Sequence, residues 1–179
     1  MKDNLNIELK AQPLIEVVGD ENGVIIVMAD ESLEDQSLVK KAARSCDISH
    51  VFSSVYNGEQ LMSLLLKRDV YFTTGKIPDL IIMDIHLRLL DGFEVLKRLK
   101  ANDALKNIPV YILTKDRNDA EVKRAMDLGA NDYFKKPIDY IDLHFIIKSI
   151  CDINFRDRKI ICGSNNPAEA GTSLDKEKK

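Results

Sequence analysis

From Val24 onward the chain alternates short apolar runs with helix-patterned segments, and this alternation constrains the fold more than any other feature. Val24 to Ala29 is apolar and β-branched, too short for a helix and suited to a strand buried on both faces. Ser32 is placed to cap a helix whose inner side carries Leu33, Gln36, Leu38, Val39, Ala42 and Ala43. His50 to Val55 is a second strand, more polar, which predicts an edge position. Asn57-Gly58 turns into a helix through Leu61, Leu64 and Leu65. A longer connection, Lys67 to Pro78, contains Thr73-Thr74-Gly75-Lys76. It leads to a strand at Leu80 to Met83, and then to a helix opened by Asp91-Gly92 with Phe93, Val95, Leu96 and Leu99 inward. Three further elements follow: a strand from Pro109 to Leu113, a helix over about Asn118 to Leu128 stopped by Gly129, and a short strand from Asp132 to Phe134. Pro137 and Asp139 open a last helix that runs to about Asn154. Five such βα units imply right-handed crossovers and a parallel sheet with helices on both faces. Periodicity alone leaves the strand order open.

The 179 residues suffice for one domain with a substantial core. We place that domain at residues 23–155. Residues 1–22 form an N-terminal extension in which Leu14 to Val18 is either an extra strand or an arm. Residues 156–179 are expected to be a disordered polar tail. With 45% hydrophobic and 31% charged residues the chain reads as an ordinary soluble globular protein. Its net charge of −3 gives no electrostatic case for nucleic acid as a partner. No apolar stretch approaches the roughly 18 residues of a membrane span. The N-terminus lacks the layout of a secretion signal. Cys46, Cys151 and Cys162 are odd in number and lack a C-x-x-C spacing, which fits a reduced cytoplasmic setting.

The chemistry lies where the apolar runs end. Asp30 and Glu31 close the first run, Asp84 the third and Thr114 the fourth, and Lys136-Pro137 follows the fifth. In open α/β sheets the carboxyl ends of the strands border the ligand crevice. Each of these residues alone has an ordinary role as a helix cap, turn residue or solvated side chain. Together, in this order, they suit divalent-metal binding and phosphoryl transfer to Asp84. Aspartate serves as a covalent nucleophile in known cases, and phosphoryl transfer asks chiefly for positioning and charge compensation. Two like charges about 4 Å apart cost on the order of 4 kcal/mol at an effective dielectric near 20. Asp30, Glu31 and Asp84 therefore call for a cation, and Mg²⁺ suits such oxygen ligands. The backbone carbonyl of His86 is a candidate further ligand. Lys136 offers a point charge and Thr114 a hydroxyl to phosphoryl oxygens. His50 and His144 have no ligand partner at helical spacing. Asp84-Ile85-His86 fails the Asp-x-Asp pattern of haloacid-dehalogenase-type phosphatases. No Gly-rich phosphate loop or Gly-x-Ser-x-Gly turn supports a small α/β hydrolase.

Several segments carry a family likeness: Ile26-Val27-Met28-Ala29-Asp30-Glu31, Pro78-Asp79-Leu80-Ile81-Ile82-Met83-Asp84 and Asp91-Gly92-Phe93-Glu94-Val95-Leu96. To these are added Ile108 through Thr114 and Gly129 through Pro137. On them the chain resembles a response-regulator receiver domain, the phospho-acceptor module of two-component signalling, over about residues 23–155. The long connection before Pro78 resembles stand-alone receivers that lack an output domain.

The resemblance implies a flavodoxin-like sheet of order 2-1-3-4-5, with Asp84 as phospho-acceptor and Asp30 and Glu31 as the acidic pair. Thr114 becomes the switch hydroxyl, Lys136 the pocket lysine, and Tyr133 the aromatic side chain that turns inward on activation. It also implies a histidine kinase or histidine phosphotransfer protein as donor, Mg²⁺ as cofactor, and a downstream protein target. That target would be met by a surface of the fourth helix, fifth strand and fifth helix. Catalysis is then limited to the domain's own phosphorylation and dephosphorylation.

The register is fixed on Asp30-Glu31 because Asp35, Leu38 and Ala42 then also match the family's first helix. Three positions depart from the pattern. Glu31 stands where an Asp is usual and Arg88 where a Pro is usual. His86 replaces a smaller polar residue and, with Asp116, borders the place of an attacking water. Glu31 and Arg88 keep alive a second reading, a phosphorylation-independent adaptor. The last helix carries more apolar residues than one core-facing stripe needs, among them Ile141, Phe145 and Ile153. It is either covered by the head or tail or forms a homodimer interface.

Overall fold

The computed structural model describes residues 14–20, 23–66 and 76–158. Of the expected disordered tail, Arg156–Arg158 form a turn of 3-10 helix, while residues 159–179, like 1–13, 21–22 and positions 67–75 of the long connection, lie outside these described residues.

Chain order is β1 (Leu14–Val18), β2 (Val24–Ala29), α1 (Leu33–Ala43), β3 (His50–Val55), α2 (Gly58–Leu66) and β4 (Leu80–Met83). Then come α3 (Gly92–Ala101), β5 (Val110–Thr114), α4 (Asp119–Asp127), β6 (Asp132–Lys135) and α5 (Tyr140–Phe155). One sheet runs β1-β3-β2-β4-β5-β6. Its last five strands are parallel and give the expected 2-1-3-4-5 order; β1 adds a sixth, antiparallel to β3.

Leu14–Val18 is thus a strand rather than an arm, and β3 is not at the edge of the sheet. The polar residues that suggested an edge, His50, Ser53 and Ser54, are all buried. Glu16 on β1 fixes the added strand from its inner side. Its carboxylate pairs with Lys40 and Arg44 of α1, each at 2.5 Å.

Strand alternation sorts the core into two layers. Ile25, Val27 and Ala29 of β2 join Ile81, Met83, Val110 and Ile112 under α2, α3 and α4. Val24, Ile26 and Met28 join Leu80, Ile82, Tyr111 and Leu113 under α1 and α5. Side chains on a strand point alternately to opposite faces, so one continuous apolar run fills both layers. Polar caps then place the loops. Ser32, Asp91, Asn118 and Asp139 accept the N-terminal amides of α1, α3, α4 and α5. Gly129, with φ of 95°, ends α4 as its position predicts.

Candidate functional site

The carboxyl ends of β2, β4, β5 and β6 converge on a cleft of about 320 Å³ lined by Asp30, Glu31, Ser32, Asp84, His86, Thr114, Lys115, Asp116 and Lys136. Side chains as far apart in the chain as Asp30 and Lys136 meet here. A larger groove of about 860 Å³ between α3 and α4 contains none of the predicted site residues.

Asp30 and Asp84 are held in the same way. Asp30 Oδ1 accepts the Ser32 N–H at 2.9 Å, and Asp84 Oδ1 accepts the His86 N–H at 3.0 Å. Both Oδ2 atoms turn to one ammonium: Lys136 Nζ lies 2.7 Å from Asp30 and 2.8 Å from Asp84. The lysine is itself anchored, since its N–H donates to the Thr114 carbonyl at 2.7 Å. Asp35, from the first turn of α1, supplies a third carboxylate, accepting from Lys136 Nζ at 3.0 Å. Sequence reasoning used Asp35 only to set a register and missed this contact. Its place in the first turn of the helix after Asp30 was the available signal.

Burial and charge pull against each other in this cleft. For Asp30, burial is the larger effect and pushes its carboxyl above the usual range despite Lys136. Burial pushes Asp84 the same way. The Lys136 ammonium and the His86 N–H outweigh it, so Asp84 is held below its ordinary value. Lys136 is pushed down by burial but raised overall by Asp30 and Asp84. Thr114 Oγ1 is fully buried and makes no hydrogen bond. It lies in the cleft beside the Asp84 carboxylate.

The remaining predicted residues fall at the rim or below it. Glu31 lines the cleft but pairs outward, its Oε2 2.9 Å from Arg88 Nε. His86 lies over the cleft with its Nε2 3.6 Å from Glu121 Oε2. Tyr133 is buried on the far side of β6, and its hydroxyl donates to the same Glu121 oxygen at 3.2 Å. Nothing in the sequence singled out Glu121. His50 sits at the opposite end of β3, and His144 lies on α5 between the rings of Tyr140 and Phe145.

The donor set fits a hard divalent cation. Buried carboxylates, with backbone carbonyls and water, are the ligands Mg²⁺ takes, often through only one or two carboxylates. Asp30 and Asp84 already direct oxygens to one point, which the ammonium fills. Among the described residues no group of three or more acidic, histidine or cysteine side chains is already arranged to hold a metal ion, and Glu31 is drawn to Arg88.

A parallel sheet with buried acids, a hydroxyl and a lysine at its carboxyl edge defines a phosphoryl- or anion-handling α/β domain. The chain belongs to the response regulator receiver domain family, whose pattern covers residues 25–148. It is 31% identical over 126 residues to response regulator Rcp1 of Synechocystis sp., covering 70% of this chain and 85% of that one. It is 29% identical over 160 residues to the two-component response regulator ARR3 of Arabidopsis thaliana, covering 88% of this chain but only 65% of ARR3. Among solved structures, the Mn²⁺-bound form of Rcp1 is similar at 29% identity and a TM-score of 0.65, over 72% of this chain and 92% of that one. The phosphorylated cyanobacterial phytochrome response regulator RcpA is similar at 28% and 0.68, over 75% and 95%. Receiver domains are signalling modules rather than classical enzymes. Among the described residues no helix is long and apolar enough to cross a membrane.

Proposed function

We propose that the domain is a phospho-accepting switch acting in the cytoplasm, which takes a phosphoryl group on Asp84 from a histidine kinase or a histidine phosphotransfer protein. One observation carries this reading: a buried aspartate kept charged by a lysine at 2.8 Å, beside a buried threonine hydroxyl with no partner. Asp84 Oδ2 attacks phosphorus, the bond from phosphorus to the donor nitrogen breaks, and an acyl phosphate forms. Bound beside Asp30 and Asp84, with Glu31 and the His86 carbonyl as further ligands, Mg²⁺ would neutralise charge on the transferring group. Lys136 moves with the new oxygens as their counter-charge, and Thr114 Oγ1 donates to one of them. Tyr133 and the surface of α4, β6 and α5 then carry the change to a downstream protein. That surface exposes Ile141 and Phe145 along α5, with Ile138 just before its cap, which supports a homodimer through this helix. A monomer by light scattering at high concentration, phosphorylated or not, would remove that part. The Mn²⁺-bound Rcp1 and phosphorylated RcpA support the metal and phosphoryl parts.

Incubation with acetyl phosphate and Mg²⁺ followed by Phos-tag electrophoresis tests the reading. A retarded band is expected in wild type and absent in Asp84→Asn. No band in wild type, or one that survives the substitution, overturns it. The Glu31–Arg88 ion pair favours a second reading, a phosphorylation-independent adaptor, because it satisfies one acid of the cleft without metal. A cleft that ignores millimolar Mg²⁺ would support the adaptor.

A further inference from the structure

Two of the three departures, Glu31 and Arg88, are joined in space: Arg88 Nε lies 2.9 Å from Glu31 Oε2. The loop that carries Arg88 has little freedom to stand elsewhere. The Arg88 carbonyl accepts the N–H of Leu90 at 2.7 Å and of Gly58 at 3.4 Å. Leu89 occupies the left-handed region at φ 62°, a conformation that persists only where its surroundings dictate it. The loop is also pressed close on both flanks. A Cβ at Gly58 would meet the Leu90 carbonyl oxygen at 2.0 Å, and one at Gly92 the Ile85 carbonyl oxygen at 2.6 Å. The guanidinium therefore reaches Glu31 from a fixed base. A glutamate extends one methylene beyond an aspartate, and here that reach serves Arg88 at the rim.

We propose that Arg88 is a positioning residue for Glu31: its guanidinium holds the carboxylate at the rim and competes with a divalent cation for it, so that metal binding displaces Arg88. The inference rests on the metal reading above and deepens it. Charge balance supports it, because Lys136 answers Asp30, Asp35 and Asp84 while Arg88 answers Glu31. These four acids are thus met from within the chain, and a cation enters by exchange. The Arg88 side chain is 65% exposed and that of Glu31 32%, so the competition is modest, worth about two- to fivefold in affinity.

The test titrates the full chain with Mn²⁺, following free Mn²⁺ by electron paramagnetic resonance and then displacing it with Mg²⁺. Wild type is compared with Arg88→Ala, Arg88→Gln, Glu31→Gln and Arg88→Ala/Glu31→Gln, each checked for folding by circular dichroism. Arg88→Ala and Arg88→Gln are expected to bind Mn²⁺ about two- to fivefold more tightly than wild type. The gain should vanish when Arg88→Ala is added to Glu31→Gln. Equal or weaker binding by both Arg88 variants, with wild type binding normally, overturns the proposal. So does a gain that persists undiminished without Glu31, since that reports a general positive field. If wild type itself binds no Mn²⁺, the metal reading fails and this inference falls with it.

Discussion

The two ends of the parallel strands bury polar groups to the same depth and treat them in opposite ways. At the carboxyl ends, Asp30 and Asp84 are 2% and 9% exposed and share a lysine. At the amino ends, His50 is fully buried, its Nδ1 donating to the Ile48 carbonyl at 3.1 Å and its Nε2 without a partner. Burial holds that imidazole below its usual range, so it stays neutral. Desolvation is thus common to both ends, and the partner decides the charge state. At Asp84, where the ammonium joined by the His86 N–H outweighs burial, charge persists and chemistry becomes possible. Where no such partner is supplied, the polar group behaves as core.

Removing the shared partner should break the contrast most forcefully. Lys136→Met leaves Asp30 and Asp84 facing each other with no cation between them, and Asp35 with only Lys115 at 4.0 Å. Loss of one member of a buried ion pair typically costs about 3–5 kcal/mol. Urea denaturation at pH 7.5 in EDTA should show a loss of that order, partly recovered on adding Mg²⁺. A loss under about 1 kcal/mol, the range of an exposed pair, would mean that the lysine is not what keeps the cleft charged.

The two aspartates should then separate. Asp84 lies below its ordinary value when folded, so its stabilising contribution is present above the unfolded carboxylate range and is lost as pH falls through the folded value. Asp30 is raised, so its contribution has the reverse sign: present at low pH and lost as pH rises through its folded value. At pH 7.5 without metal, Asp84→Asn is expected to destabilise by about 1.5–3 kcal/mol, the worth of hydrogen bonds to a charged group. Asp30→Asn should be neutral or stabilising. Equal losses in the two variants would contradict the assigned shifts.

How far this contrast was legible from the residues depends on the reach of the contacts involved. The five parallel strands were readable because strands buried on both faces are continuous apolar runs, as Val24 to Ala29 is. Asp30, Asp84, Thr114 and Lys136 were readable because they end such runs. β1 was not decided, since its pairing with β3 spans 32 to 40 residues and is supported by ion pairs from Glu16 to a helix. His50, Ser53 and Ser54 suggested an edge position because composition cannot show that another strand pairs beside them. The Glu31–Arg88 pair appeared only as two separate oddities. Glu121 carried no local signal, because its role depends on His86 of the loop after β4 and Tyr133 of β6.

Tyr133 occupies an intermediate position in the comparison, as a buried polar group with a single acidic partner. Burial, then the charge of Glu121, raises its phenol, so it remains a neutral donor. Tyr133→Phe removes one hydrogen bond and should cost about 0.5–1.5 kcal/mol. Glu121→Gln should cost less, because an amide oxygen still accepts from the phenol. Thermal denaturation of the two variants checks the order. A larger loss for Glu121→Gln would show that the carboxylate charge serves His86 more than Tyr133.

The smallest effect at neutral pH belongs to His50, and it sharpens the contrast most cleanly. Its folded value lies below that of the unfolded chain, so below about pH 6.5 the unfolded state binds the extra proton and stability falls with pH. Above that pH the residue contributes no slope. His50→Gln keeps a donor for the Ile48 carbonyl but does not titrate. Its stability curve should therefore run parallel to wild type from pH 7 to 8 and flatten relative to it between pH 6.5 and 5. One group can contribute a slope of at most about 1.4 kcal/mol per pH unit. Denaturant midpoints across that range give the slope directly. If wild type and His50→Gln respond identically to acid, the imidazole takes up its proton without penalty, and the amino-end core is wetter or better partnered than its burial implies.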